Sequence, residues 1–111
     1  MPEMGSVLRI GGFNYKIRLD EDRKLLQNNQ WGETDSNNLT MTLDSEAPLQ
    51  RQRETLLHEA LHAASGILPP EDQLNERQVR SLAIQLFQAI RDNPWFWRFV
   101  GEEEDGHPTS P

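Results

Sequence analysis

The chain has 111 residues, no cysteine, and a net charge of -7 from 18 acidic and 11 basic side chains. This length supports one small hydrophobic core and leaves no room for a second domain. The composition excludes a disulfide framework and thiolate metal sites, and the acidic balance argues against a nucleic-acid partner. No apolar run is long enough to cross a bilayer, and the first residues carry no basic-then-apolar signal pattern. The expectation is therefore a cytoplasmic protein with no membrane partner.

Residues 1–5 read as a flexible N-terminus and residues 6–100 as a single domain. Ser6 to Ile10, Gly11-Gly12 and Phe13 to Leu19 read as strand, turn and strand. Paired glycines supply the positive φ values of a tight hairpin. Phe13, Tyr15, Ile17 and Leu19 alternate with Asn14, Lys16 and Arg18, which predicts one buried face and one wet face. Asp20 to Asn29 is charged and amide-rich and fits either a helical turn or a loop. Trp31 to Asp35 and Leu39 to Leu43 flank the turn signal Ser36-Asn37-Asn38, predicting a second hairpin. Asp44 to Pro48 then breaks the strand and offers capping side chains.

Leu49 to Ser65 has the period of a helix. Leu56, Leu57, Ala60, Leu61 and Ala64 form its apolar stripe. His58 and His62 fall roughly opposite, beside Arg51, Thr55 and Ser65. Gly66 and Pro69-Pro70 end the helix. A second helix is predicted from Glu71 or Asn75 to Asp92, with Val79, Leu82, Ala83, Leu86, Ala89 and Ile90 on its packing face and Glu76 at the edge of that face. Asn93-Pro94 stops it. The Trp95 to Val100 cluster reads as a terminal segment docked on the core, with a protein-binding patch as the alternative. Residues 101–111 read as a disordered acidic tail.

His58-Glu59-Ala60-Leu61-His62 is an H-E-x-x-H pentapeptide inside the first helix. Side chains four apart stand one above the other on a helix, so both imidazoles can reach one metal ion. Zinc in a hydrolase takes three protein ligands, and with cysteine absent the third must be His, Asp or Glu. The other histidine, His107, lies in the predicted tail. Glu76 comes back near His62 if the two helices pack antiparallel, and Asp72 or Glu71 is the fallback. Glu59 is the candidate general base.

The order of elements resembles a known group. N-terminal hairpins precede Gln50-Arg51-Gln52-Arg53-Glu54-Thr55-Leu56-Leu57-His58-Glu59-Ala60-Leu61-His62. A Leu-x-Glu-x-x-Val-x-x-Leu-Ala helix over 74–83 and Asp92-Asn93-Pro94 follow. This resembles the small zincin-like proteins of phages and prophages, related to the ImmA/IrrE-type metallopeptidases. The resemblance covers about residues 6–93, and its specific part is 50–62. It implies zinc held by His58, His62 and Glu76, with Glu59 as the base. The chain departs from the larger members in a short interval from His62 to Glu76 and in having no helix-turn-helix domain.

Together these readings predict an α+β minimal zincin-like domain. A small, mainly antiparallel sheet of two hairpins packs on two helices, the first carrying the pentapeptide. The predicted function is zinc-dependent hydrolysis of a peptide or protein substrate in a bacterial host cell. The alternative is a non-catalytic phage interaction module in which zinc is structural and Trp95 to Val100 contacts a protein partner. So little chain lies outside the core that a deep cleft is not expected. A peptide would instead lie along an exposed strand edge, with Leu39 to Leu43 as the candidate.

Overall fold

Two glycines set the first corner of the fold. The computed structural model describes residues 6–21, 24–27 and 30–102. Within it, Gly11 and Gly12 have φ of 60° and 86°. Both signs suit a two-residue turn whose twist matches the flanking strands. The turn joins β1 (Val7–Ile10) to β2 (Phe13–Asp20), with Ile10 opposite Phe13. A helical turn α1 (Lys24–Gln27) follows, and the Asp20 carboxylate accepts from the Leu25 amide. The second hairpin is β3 (Gly32–Asp35) with β4 (Thr40–Asp44), antiparallel, pairing Thr34 with Met41.

The two hairpins form as expected, but they join side by side through β2 and β4 in parallel, pairing Ile17 with Met41. The sheet is therefore mixed, four-stranded and ordered β1-β2-β4-β3, rather than mainly antiparallel. Alternation of side chains is the same in either pairing, so sequence period is silent on strand direction. One consequence is a correction at the edge. β4, which carries the Leu39-to-Leu43 candidate edge, is interior, and the free edges belong to β1 and β3.

Register places Tyr15, Ile17, Leu39, Met41, Leu43, Gly32 and Thr34 on one face. Helix α2 (Leu49–Gly66) lies across that face, and the core forms between them from Tyr15, Ile17, Met41, Leu43 and Ala63. Pro48 begins α2 without a side-chain cap. Gln52 instead reaches back from inside the helix, its Nε2 donating to the carbonyls of Asp44, Ser45 and Ala47.

The buried line of α2 differs from its apolar stripe. Gln52, Thr55, Glu59, Ala63 and Ser65 are buried, whereas Leu56, Leu57, Ala60 and Leu61 are half-buried and Ala64 is exposed. The helix is rolled so that its polar, site-bearing side meets β3 and the leucines take the flank. A ranking by hydrophobicity cannot find that roll, because the partner of buried Glu59, Thr34, lies 25 residues away in sequence.

A 3-10 turn (Pro70–Asp72) leads to α3 (Glu76–Asp92), which packs on α2 through Val79 and Ala83. Helix α4 (Pro94–Gly101) packs against α3. The expectation of aromatics docked on the core is corrected here. Trp95 is 61% exposed and Phe99 75%, and Phe96, Trp97 and Val100 are exposed as well. A helix apolar all round and eight residues long covers only one side of itself against a single neighbour. The predicted flexible N-terminus and nearly all of the predicted acidic tail lie outside the described residues. No helix among the described residues is long and apolar enough to cross a membrane.

Candidate metal centre

The connection from α2 to α3 places Glu76, the third candidate ligand. The Ser65 hydroxyl accepts the Leu74 amide at 2.7 Å, and Gln73 Nε2 donates to the Leu68 carbonyl at 2.9 Å. Asn75 then caps α3 in a reciprocal box with Gln78: Gln78 N–H donates to Asn75 Oδ1 at 2.8 Å and Asn75 N–H to Gln78 Oε1 at 2.9 Å. That box satisfies two end amides and fixes the first turn. Glu76, the first residue of that turn, is also favoured there by the helix dipole.

Its carboxylate bridges the two motif histidines. Glu76 Oε1 lies 3.1 Å from His58 Nε2, and Oε2 lies 2.6 Å from His62 Nε2. The two Nε2 atoms are 3.1 Å apart, with the rings inclined at 62°. These four lone-pair atoms, from two imidazoles and one carboxylate, repel at such distances unless a proton or a cation lies among them. Two ligands about 2.0–2.1 Å from a tetrahedral ion would stand roughly 3.3 Å apart. The two 3.1 Å separations are close to that spacing, and the 2.6 Å contact of Glu76 Oε2 with His62 Nε2 is well inside it, at hydrogen-bond length. A donor set of two imidazoles and one carboxylate suits a divalent transition ion. His58, His62 and Glu76 thus lie close enough to hold a metal ion. Asp72 and Glu71, the fallback ligands, sit in the 3-10 turn and are not in the cluster. His107 lies outside the described residues.

Glu59 is on the same helix, one position round from His58 and turned toward β3. It is 8% exposed, and its Oε1 accepts a 2.7 Å hydrogen bond from the Thr34 hydroxyl. Gly32 lets the strand come this close: a Cβ there would overlap the Thr55 methyl and stand 3.4 Å from Glu59 Cγ. Arg80, one turn after Glu76 on α3, places Nη2 3.6 Å from Glu76 Oε1.

No protein-family model, curated protein or solved structure matches the chain. The residues themselves carry the argument from here.

These residues line a single cleft of about 980 Å³ between α2, β3 and the start of α3. A cleft of this size, open to solvent, stands where the short chain was expected to offer no deep one. At one end Arg51 lies over the Trp31 ring, 5.0 Å from its centroid, and its Nη1 is 3.9 Å from Glu54. At the other end stand Phe13, Leu39 and Ile67.

The pentapeptide and Glu76 were found from sequence. Thr34, Gly32, Thr55 and Ser65 were not, since each acts on a residue far along the chain. Asn75-x-x-Gln78 and the Glu76–Arg80 spacing are local signals from which the cap and the ion pair could have been read.

Proposed function

We propose that this chain is a zinc-dependent peptidase of the H-E-x-x-H type, of the kind found in small zincin-like phage proteins. The observation that carries the reading is the convergence of His58 Nε2, His62 Nε2 and the Glu76 carboxylate beside the buried Glu59. His58, His62 and Glu76 would hold the ion. Bound zinc supplies an acidified water and a polarised carbonyl. Glu59 accepts the proton of the attacking water and delivers it to the leaving amine. Thr34 holds one oxygen of that carboxylate and leaves the other to do the transfer. An extended peptide would pair its main chain with the open edge of β3, which runs beside the pentapeptide through Gly32 and Thr34.

Metal content and cleavage test this together. The purified chain should carry one zinc, lost in His58→Ala with His62→Ala, and should cleave members of a broad peptide library. Glu59→Gln should keep the zinc and lose cleavage. A protein that takes zinc but leaves every peptide intact, in both forms, refutes the enzymatic reading.

The exposed aromatic face of α4 supports a second reading. There, zinc only staples α2 to α3, and α4 docks a protein partner. Unfolding on chelation, with loss of partner binding in Trp95→Ala or Trp97→Ala, would favour it.

A further inference from the structure

The two ends of the cleft differ in chemistry, and the difference bears on what fits there. At the Trp31 end the aromatic face is covered by the Arg51 guanidinium, with Glu54 alongside. That end presents charge. The opposite end presents hydrocarbon from three separate elements. Phe13 begins β2 just after the Gly11-Gly12 turn, Leu39 ends the β3–β4 turn, and Ile67 follows the last turn of α2.

These three are close for structural reasons. Leu39 stands beside Tyr15 in the sheet: the Lys16 amide donates to the Leu39 carbonyl at 2.9 Å. Phe13 shares the helix-facing side with Tyr15, two residues on. The Ile67 side chain lies against the turn itself, where a Cβ at Gly11 would meet its Cδ1. Tyr15 is buried beneath them, but α2 ends before it covers this corner. Phe13 and Ile67 are consequently each 47% exposed, although both face the cleft.

Leu39 adds an independent sign. Its φ is 52°, and it is the one non-glycine residue with positive φ among those described. Glycine or asparagine takes that conformation more easily, and a branched bulky side chain is strained in it. The strain is tolerated where it places an isobutyl group on the cleft wall and against the core edge.

Ile67 lies five residues beyond His62, about 7.5 Å along the helix axis. An extended peptide rises about 3.4 Å per residue. The apolar end is therefore about two residues from a bond held at the metal centre. We propose that the substrate carries a large aliphatic or aromatic side chain within two residues of the bond that is cut, seated among Phe13, Leu39 and Ile67. This rests on the peptidase reading above and adds the side-chain class that the site selects.

Binding of chelating peptides tests the inference without needing turnover. The full chain, loaded with zinc, is titrated calorimetrically with Ala-Ala, Phe-Ala and Ala-Phe hydroxamates. At least one Phe compound should bind about tenfold or more tightly than Ala-Ala. The preference should fall below about threefold in Phe13→Ser and in Ile67→Ser, with Ala-Ala affinity unchanged. Leu39→Asn, which suits the left-handed backbone, should do the same without loss of folding. Equal affinities for all three compounds in a zinc-loaded protein overturn this inference alone. A preference undiminished in all three variants does so too. A protein that takes up no zinc, or binds the hydroxamates equally after His58→Ala with His62→Ala, overturns the peptidase reading and this inference with it.

Discussion

The Thr34 hydroxyl donates to the Glu59 carboxylate at 2.7 Å, joining the edge strand β3 to the motif helix across 25 residues of sequence. The acceptor is buried, so losing the donor leaves a carboxylate partly unpaired. Hydrogen bonds to charged groups contribute about 1.5–3 kcal/mol. Thr34→Val should therefore lower unfolding stability by about 2 kcal/mol, and Thr34→Ser should restore most of it. Urea titration of the three proteins measures this. A Thr34→Val protein as stable as the parent would show that the bond carries no weight.

Gly32 sits where a side chain would strike Thr55. Overpacking of a closed contact costs about 1–3 kcal/mol, and Gly32→Ala should show a loss of that size. Thr55→Ser removes the methyl in the way, so the double variant should recover much of it. A double-mutant cycle reads the coupling. Purely additive losses would mean that the strand, not Thr55, resists the substitution.

What was legible in the sequence follows from where each signal resides. The pentapeptide and the Gly-Gly turn are local patterns and lie in the elements expected of them, and of the two starts expected for α3 it is Asn75, not Glu71, that adjoins the observed Glu76. Glu76 was reachable because a short turn constrains where the next helix begins. Three features needed the third dimension. Parallel pairing of β2 with β4 leaves no trace in alternation. The roll of α2 depends on Thr34 and Gly32, which lie more than twenty residues before Glu59. The exposure of α4 depends on what α3 leaves uncovered, since an apolar octapeptide reads alike whether docked or free.

Asn75 holds the first turn of α3, and Glu76 is its next residue. Replacing a capping Asn by Ala typically costs about 1 kcal/mol. In Asn75→Ala the helix start should fray and the Glu76 carboxylate lose its fixed position. Zinc affinity should fall by about tenfold, with smaller effects in Asn75→Asp. Competition with a chromophoric chelator gives the affinity. An unchanged value in Asn75→Ala would mean that the cap does not position Glu76.

Asp35 closes the β3–β4 turn with its carboxylate. The Asn38 side chain donates to its carboxylate at 2.8 Å, and the Asn38 and Asn37 amides donate as well, which holds its pKa below the usual 3.8. A depressed carboxylate stabilises the fold once pH is above the unfolded value, and that gain is lost as pH falls through the folded pKa. The β3–β4 turn should thus weaken only below about pH 4. NMR titration of the Asp35 carboxyl checks the direction, and Asp35→Ala should flatten this part of the acid limb. A midpoint above 3.8 would contradict the assignment to these three donors.

A metal that binds the folded chain and not the unfolded one must raise its stability. At a free concentration 100 times the dissociation constant the gain is about 2.7 kcal/mol. For a domain of this size that corresponds to roughly 10 °C in Tm. Zinc should produce such a shift in the parent, and a chelator should reverse it. His58→Ala and Glu76→Ala should lose the shift, since each removes one of three ligands. Glu59→Gln should keep it, because Glu59 is bonded to Thr34 and is not among the three clustered groups. This pattern tests the separate roles that motif position assigns to the two glutamates. A shift that vanishes in Glu59→Gln but survives in Glu76→Ala would exchange their roles and require the helix α2 carboxylate to be the ligand.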